Sequence, residues 1–342
     1  MKILYISFHP VLEYDEIRLL EDLGHDVFSI GAYFDRTIPN YFRPELKQNE
    51  WHLEMISNFR SGSSSKSSMS LDHSFVREFD AVIVMHQIEW LNNNPNSFKD
   101  ARIIIRSVGQ PYEAHNHPSD EIIDKCVLIK YSENESIPFE NRCKTSVIKF
   151  YKRESDFFGW LGSQERVISF YNNPVERVPN YIRVFDDIVR KTNTSRKSRF
   201  YGYNTTDLLH SGGQLDYHDQ LKILRDSRVA LSIPSFPAPY TLNFIEMLMS
   251  GIPVIVPSDK FASELAESSN KHPGLYMQDR ILANKENGFV VSCVDEAIDV
   301  CKMMLADYKL AYDIGSNGRI CAIQNFGHEN AMREWNTLLE SL

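Results

Sequence analysis

A single carboxylate, Glu246, stands inside an otherwise apolar segment at residues 238–258, APYTLNFIEMLMSGIPVIVPS. The strand-like segments VALSIPS before it and PVIVPS after it predict a strand–helix–strand unit whose helix begins at Thr241 and ends at Gly251. The first amides of a helix have no carbonyl partner inside it and favour anions. The segment therefore predicts a phosphate site close to a carboxylate.

Two other interpretations of Glu246 remain open at this point. Apolar residues recur every three or four positions along the helix, so one face is predicted to be buried, with Glu246 next to it. That position also suits a solvated residue or the ionic partner of a nearby arginine. The residues that define the apolar face are Leu242, Ile245, Leu248 and Met249.

Polar residues follow several apolar, strand-like segments in the first half of the chain. In an open parallel sheet, ligands gather where the strands end, so these residues are expected along one edge. The segments are KILYISF (2–8), HDVFSIG (25–31), DAVIVMH (80–86), ARIIIRSVG (101–109) and CVLIKYSEN (126–134), and the edge residues are His9, His86, Gly109, Gln110 and Ser132.

The second half repeats this alternation of strands and helices. Strands are predicted at 166–173, 198–204 and 228–235, with helices at 181–193 and 217–227 between them. The fold class is therefore α/β, with an N-terminal domain at residues 1–150, a C-terminal domain at 151–325 and a final helix at 326–342. The serine-rich segment 57–74 is expected to be a mobile surface loop.

Composition narrows the class of protein. The 342 residues include 42% hydrophobic and 24% charged residues, which is typical of folded domains, and the net charge of −9 argues against a uniformly basic nucleic-acid binder. Five scattered cysteines fit neither a disulfide framework nor a zinc site and suggest free thiols. No apolar stretch approaches the ~20 residues that span a bilayer. We expect a cytoplasmic protein.

The segment IPSFPAPYTLNFIEMLMSGIPVIVPS (233–258) resembles the donor-site signature of GT-B fold glycosyltransferases, particularly those of glycosyltransferase family 4. Three other segments, 209–235, 284–291 and 313–342, resemble further parts of that family, and all of them follow the family's order. The positions of the signature that match are Pro234, Ser235, Leu242, Glu246, Gly251, Pro253, Val254 and Ile255.

The resemblance implies two Rossmann-like domains facing a cleft, with the acceptor held by the N-terminal domain and the donor by the C-terminal domain. It implies that Glu246 binds both ribose hydroxyls of a UDP- or GDP-sugar, and that Tyr240 and the amides of Thr241 and Leu242 belong to the donor site. It also implies retention of configuration, no bound metal or other cofactor, and a final helix that crosses back to the first domain. One departure stands out, because the family's first glutamate falls on Ala238.

The diphosphate of such a donor needs positive charge as well as amides, because the leaving group gains charge in the transition state. Arg177 is the first candidate, and Lys152 or Arg153 the second; each also suits an exposed surface cation. Gly213 and Gln214 are expected beside the nucleotide base, or simply in a turn.

In the N-terminal domain, His9 is a candidate base or hydrogen-bond donor to the sugar, although a lone histidine is more often structural. Residues Gly109, Gln110, Glu113 and His115, together with Arg106, form the predicted acceptor platform. The pair His115 and His117 has no third ligand at regular spacing, so no metal site is predicted.

The acceptor itself is open: a glycan, a lipid-linked sugar, a small molecule or modified DNA. The DNA alternative rests on two basic segments, 142–153 and 190–199, and is that of a phage-type enzyme acting on hydroxymethylated bases. Ordinary solvated surface is the simpler interpretation of both segments. A non-catalytic protein that binds sugar nucleotides is the other alternative, and Ala238 favours it.

Overall fold

A computed structural model describes residues 1–36, 43–109, 117–157, 159–235, 238–266 and 276–342. The chain forms two compact domains. The N-terminal domain comprises Met1–Phe150 with Glu329–Leu342, and the C-terminal domain comprises Tyr151–His328.

The described part of the N-terminal domain contains a parallel sheet of six strands, in the order β2-β1-β3-β4-β5-β6. Helices and one 3₁₀ turn, Glu140–Arg142, connect the strands, and α14 near the chain end also belongs to this domain except for its first residue. The strands are β1 Lys2–Ile6, β2 Asp26–Ser29, β3 Ala81–Met85, β4 Arg102–Arg106, β5 Cys126–Lys130 and β6 Lys144–Val147. The helices are α1 Pro10–Asp22, α2 Glu50–Ser61, α3 His73–Val76, α4 Glu89–Asn93, α5 Asp120–Ile123 and α14 His328–Glu340.

Local sequence explains the first crossover. Residues 3–6 are almost fully buried, as expected for an apolar strand inside a parallel sheet. Pro10 occupies the first turn of α1, where its missing amide hydrogen costs nothing, and the helix is followed by Gly24 in the left-handed conformation, at φ 83°. The strands and helix predicted for residues 2–31 are thus confirmed.

The serine-rich segment differs in part from the prediction. Its first residues complete α2, which ends at Ser61. Residues 65–70 form a closed turn in which Ser65 and Ser70 exchange backbone hydrogen bonds of 2.8 and 3.0 Å, and the last two residues of the segment begin α3. Backbone pairing gives this part of the segment a defined conformation that its composition did not predict.

The described part of the C-terminal domain contains a second parallel six-stranded sheet, in the order β12-β11-β10-β7-β8-β9. Read from the other side, this is the 3-2-1-4-5-6 order of the Rossmann fold, with its reversal between β7 and β10. The strands are β7 Gln164–Phe170, β8 Arg199–Tyr201, β9 Ser211–Gly213, β10 Ser227–Leu231, β11 Val254–Pro257 and β12 Phe289–Val291.

The helices of this domain precede, connect and follow those strands. A 3₁₀ turn at Glu154–Asp156 comes before β7, and the long helices α12 and α13 follow β12. The helices are α6 Pro174–Arg177, α7 Pro179–Lys191, α8 Tyr217–Asp226, α9 Leu242–Ser250, α10 Asp259–Leu265, α11 Gln278–Ile281, α12 Val294–Ala306 and α13 Tyr308–Phe326.

Candidate functional site

The point where strand order reverses in the C-terminal sheet brings three polar side chains together. Tyr171 directly follows β7, and Ser235 follows β10 by four residues. The Tyr171 hydroxyl donates to Ser235 Oγ at 3.2 Å, and Arg177 Nη2 donates to the same oxygen at 3.0 Å. Ligands of open α/β sheets bind at such a reversal, outside the carboxyl ends of the strands.

Arg177 owes its position to the short helix α6. Asn173 precedes this helix in the left-handed conformation, at φ 53°, and Pro174 begins it. The turn places the guanidinium 5.3 Å from the centre of the Tyr171 ring, a cation–π contact. The arginine is nonetheless exposed, so its charge lies next to solvent at the carboxyl edge of β7 and β10.

Helix α9 begins as the sequence predicted. Thr241 caps it by accepting a hydrogen bond from the Phe244 amide at 3.2 Å, and Gly251 ends it at φ 81°. The amides of Leu242 and Asn243 lie in the first turn, where a helix offers them no carbonyl. Tyr240, by contrast, is 2% exposed and packs its ring 5.1 Å from that of Phe326. Burial in the core places the Tyr240 ring away from solvent.

Glu246 is buried, with 4% of its surface exposed. One carboxylate oxygen accepts from Lys152 Nζ at 2.6 Å, and the other accepts from Gln220 Nε2 of α8 at 2.5 Å. The alternative of a solvated residue is therefore wrong, and Lys152 is an ionic partner of the carboxylate. A buried carboxylate is tolerated when a cation and hydrogen bonds compensate it.

Lys152 is as deeply buried as Glu246. Only 2% of the residue is exposed, and its amide donates to the carbonyl of Phe326 at 2.9 Å. The lysine was expected as a second choice for the diphosphate, but its ammonium faces Glu246. Arg153, the other second choice, comes immediately before the 3₁₀ turn Glu154–Asp156.

The glycine pair 212–213 differs from the turn that the sequence suggested. Ser211–Gly213 is the edge strand β9, which pairs with β8. A Cβ at Gly212 would overlap the Tyr201 ring, whereas Gly213 ends the strand at φ 71° with no described atom within 4 Å of a Cβ built there. Gln214 follows and is exposed. Gly213 and Gln214 therefore lie at the carboxyl end of an edge strand.

The loops after β7 and β8 are hydrogen-bonded to each other at the carboxyl edge of the C-terminal sheet. The Tyr203 amide donates to the Asn172 side chain at 2.8 Å, and the Asn173 amide donates to the Tyr203 carbonyl at 2.9 Å. Asn204 Nδ2 also donates to the Asn173 side chain at 2.6 Å. These bonds fix the two loops to each other close to Arg177 in the chain. The sequence analysis did not single out these asparagines, although asparagine directly after a strand is a signal for such turns.

The N-terminal sheet also has a reversal in strand order, between β1 and β3. Phe8 and His9 follow β1, His86 follows β3, and the rings of Phe8 and His86 are 5.7 Å apart. His9 caps α1, with Nδ1 3.4 Å from the Leu12 amide. An accepting Nδ1 places the proton of the neutral ring on Nε2. His9 therefore fits a hydrogen-bond donor better than a base.

The predicted acceptor platform is only partly described, because Gln110, Glu113 and His115 lie outside the described residues. Gly109 is described, at φ 72°, and a Cβ there would overlap the Tyr131 side chain. Arg106 is fully buried, where Nε donates to Glu16 at 2.7 Å and Nη1 donates to the Ile148 carbonyl at 2.7 Å. Arg106 therefore acts inside the domain rather than on its surface.

Glu135, which the sequence analysis missed, lies at the same edge. It accepts from the Ser107 hydroxyl, at 2.7 and 2.6 Å to its two oxygens, and from the Tyr131 amide at 2.8 Å. Burial raises the pKa of this carboxyl, and the hydrogen bonds oppose that effect. The residue ties the ends of β4 and β5 together.

Acids pair with several of the cations in the two basic segments. Arg142 pairs with Asp120 at 2.7 Å and Lys191 with Asp295 at 3.1 Å. Arg190 likewise pairs with Asp187 at 2.5 Å, and Lys152 is buried against Glu246. These pairings do not favour a surface for DNA phosphates.

The described ranges contain neither a cluster of metal ligands nor a helix suited to a membrane. There, no group of three or more histidine, cysteine, aspartate or glutamate side chains is arranged to hold a metal ion. None of the helices described is both long enough and apolar enough to cross a membrane.

Solved structures resemble the whole chain. HepE from Anabaena, solved with UDP-glucose, matches with a TM-score of 0.65 at 12% identity and covers 100% of both chains. A glycosyltransferase from Rickettsia africae matches with a TM-score of 0.64 at 14% identity, over 99% of this chain and 98% of that one. Sucrose-phosphate synthase from Thermosynechococcus elongatus gives 0.62 at 13% identity, over 100% and 98%.

No protein-family model and no curated protein sequence matches the chain. At these low identities the structural likeness establishes the fold alone. The two Rossmann-like sheets and the likeness over the full length assign the chain to the GT-B fold of glycosyltransferases. The sequence-based prediction of fold class is thereby confirmed.

Proposed function

We propose that the protein is a glycosyltransferase that moves a sugar from a nucleotide donor to a hydroxyl acceptor, with the donor bound at the carboxyl edge of the C-terminal sheet. The group formed by Arg177, Tyr171 and Ser235 carries the proposal. An exposed cation and two hydroxyls meet there, where strand order reverses, and α9 is the next helix along the chain after Ser235. Charge and unpaired amides together suit a diphosphate.

The remaining roles follow from position. The amides of Leu242 and Asn243 would donate to the diphosphate, and Gly213 and Gln214 would approach the base. Glu246 would accept hydrogen bonds from the ribose hydroxyls, because an ionised carboxylate only accepts and can do so from several donors at once. UDP-glucose is the first donor to test, because HepE was solved with it.

Catalysis in this proposal needs no protein nucleophile. Arg177 and the amides of α9 would stabilise the charge that develops on the leaving diphosphate, which is the usual source of rate enhancement for such departures. Retention of configuration and independence of metal ions are parts of the same proposal. The N-terminal domain would hold the acceptor at its own carboxyl edge, where His9 and Gly109 lie, with His9 donating to a sugar hydroxyl.

Titration of the full-length protein with UDP-glucose and GDP-mannose, each with and without a metal chelator, tests donor binding. Arg177→Ala should weaken binding of the accepted donor roughly ten- to a hundredfold, the range for a lost charge-assisted contact. Arg190→Ala is the matched control, since Arg190 is exposed and pairs with Asp187. Equal affinities of the two variants would overturn the proposed site.

A UDP analogue without ribose hydroxyls tests the proposed role of Glu246. Glu246→Gln should weaken UDP binding but leave binding of 2′,3′-dideoxy-UDP unchanged, because that analogue lacks both hydroxyls. A loss of affinity that is equal for the two ligands would show that the substitution acts through protein structure instead.

One observation favours a second candidate, a sugar-nucleotide-binding protein without catalytic activity. Ala238 stands where the resembling family has its first glutamate, and its amide donates to the Ser235 carbonyl at 2.6 Å. Donor binding with neither hydrolysis nor transfer, across glycan, lipid-linked and small-molecule acceptors, would support this candidate. Donor-dependent release of UDP would exclude it.

A further inference from the structure

Two of the five cysteines lie in the N-terminal domain and are close neighbours. Cys126 begins β5 and Cys143 immediately precedes β6, and the parallel register pairs the next residues, Val127 and Lys144. The two sulfur atoms are 3.1 Å apart. Adjacent strands lie about 4.8 Å apart, inside the range of Cα separations that a disulfide bridges, so little backbone movement is needed.

The two thiols differ in their access to solvent. Cys126 is 4% exposed, whereas Cys143 is partly exposed. A small oxidant can therefore reach Cys143 and not its neighbour. Both sulfur atoms also face the carbonyl of Ile123, at 3.2 Å from Cys126 and 3.7 Å from Cys143, which keeps them on the same side of the strand pair.

Their environments also differ in charge. The pKa of the Cys143 thiol is lowered, first by the hydrogen bond from Cys126 and then by the positive charge of Arg142, while burial opposes these effects. The pKa of the Cys126 thiol is raised by the same hydrogen bond and by burial. Cys143 is thus the sulfur that ionises first, and the thiolate is the reactive form.

We propose that Cys126 and Cys143 form a reversible disulfide when a hydroperoxide reaches Cys143. The Cys143 thiolate attacks the terminal peroxide oxygen, which breaks the O–O bond and gives a sulfenic acid and the alcohol, or water in the case of hydrogen peroxide. Cys126 then attacks the sulfenic sulfur and releases water. The two thiols lose two electrons and two protons in total, the peroxide is reduced, and an external thiol reverses the reaction by exchange.

The experiment uses the full-length protein, treated with one equivalent of hydrogen peroxide, alkylated and digested with trypsin without reduction. Cleavage after Lys125, Lys130, Arg142 and Lys144 should yield CVLIK linked to CK, lighter by two hydrogen atoms than the two peptides together. Dithiothreitol should separate the two peptides. Cys293, which is exposed, is the internal control: it should be alkylated before and after peroxide.

Two variants test the order of steps and do not depend on the disulfide. Cys126→Ser should accumulate a sulfenic acid at Cys143 that dimedone traps, whereas Cys143→Ser should give no trapped product at Cys126. Full alkylation of both cysteines after peroxide, or linkage of either one to Cys293, would overturn the proposal. The proposed donor site belongs to the other domain, so its own tests are independent of this result.

Discussion

Glu246 is an acidic residue at a position where only 4% of its surface is exposed. The sequence showed a carboxylate in an apolar segment, but nothing in the sequence identified Lys152 as its partner. Lys152 lies almost a hundred residues earlier and comes within 2.6 Å only after folding. We therefore expect the pair to stabilise the domain, whatever Glu246 contributes to ligand binding.

Substitution of Lys152 by methionine is predicted to destabilise the protein by about 3–5 kcal/mol, because it removes the cation that lies 2.6 Å from the buried Glu246 carboxylate. Denaturant unfolding followed by circular dichroism measures the change. Lys191→Met is the matched control: its pair with Asp295 is exposed and is expected to contribute at most about 1 kcal/mol. Similar midpoints for the two variants would contradict the argument.

At the scale of elements, α9 and α13 approach each other through two glycines. Gly251 follows α9, and a Cβ at Gly315 of α13 would overlap the Gly251 carbonyl oxygen. Backbone cannot move aside as a flexible side chain can. The position of α9, and with it the proposed phosphate site, therefore depends on a residue without a side chain on the neighbouring helix.

Gly315→Ala is predicted to destabilise the C-terminal domain by about 1–3 kcal/mol, the usual cost of overpacking. Thermal unfolding would measure the effect, and UDP-glucose affinity would report whether α9 moves. Gly159→Ala is the control, because no described atom lies within 4 Å of a Cβ built there, and its effect should stay within about 0.5 kcal/mol. Equal unfolding temperatures would argue against the close contact.

Helix α2 carries a buried histidine at its third position. The Asn49 side chain accepts from the His52 amide at 3.0 Å, and the Asn49 amide donates to the His52 ring at 3.2 Å, so the two residues form a capping box. Burial first, and then the positive charge of Arg36, lower the pKa of His52 from 6.5 to about 4. The folded state therefore keeps this ring neutral.

This pKa predicts a window of acid sensitivity. The unfolded chain binds a proton at this position below pH 6.5, and the folded protein does not until about pH 4. The stabilisation is thus complete above pH 6.5 and is lost as pH falls towards 4. In His52→Gln, which keeps a capping-box residue, the free energy of unfolding should change less steeply with pH in that window. His218→Gln, at an exposed position, should retain the steep dependence.

At the scale of the whole molecule, the chain enters the C-terminal domain at Tyr151 and leaves it at His328. The rings of these two residues are 5.4 Å apart. The residues after His328 belong to the N-terminal domain, where Trp335 of α14 is fully buried. The end of the chain thus completes the core of the domain that contains its beginning.

Trp335→Ala is predicted to destabilise the N-terminal domain by about 3–5 kcal/mol, as large-to-small core substitutions do. Hydrogen exchange should accelerate in β4 and β5 while β7 and β10 keep their protection. Thr337→Ala, at an exposed position of the same helix, is the control. Acceleration confined to the C-terminal strands would contradict this assignment of α14.

The sequence by itself determined the fold class, most strands and the start and end of α9. These depend on local apolar periodicity and on caps such as Thr241 and Gly251, which short segments encode. Edge strands such as β9 were missed, because a glycine pair has no side chains to produce a pattern and pairs only once its neighbour is in place.

Only the tertiary structure decided which side chains meet. The pairing of Glu246 with Lys152, the burial of Arg106 and the contact between Cys126 and Cys143 join residues that are distant along the chain or carry no motif. A pair forms where strand order and helix packing bring two groups together, and the desolvation of a charge is decided by everything around it. Neither the contacts between distant side chains nor the desolvation of a charge can be predicted from the spacing of residues along the sequence.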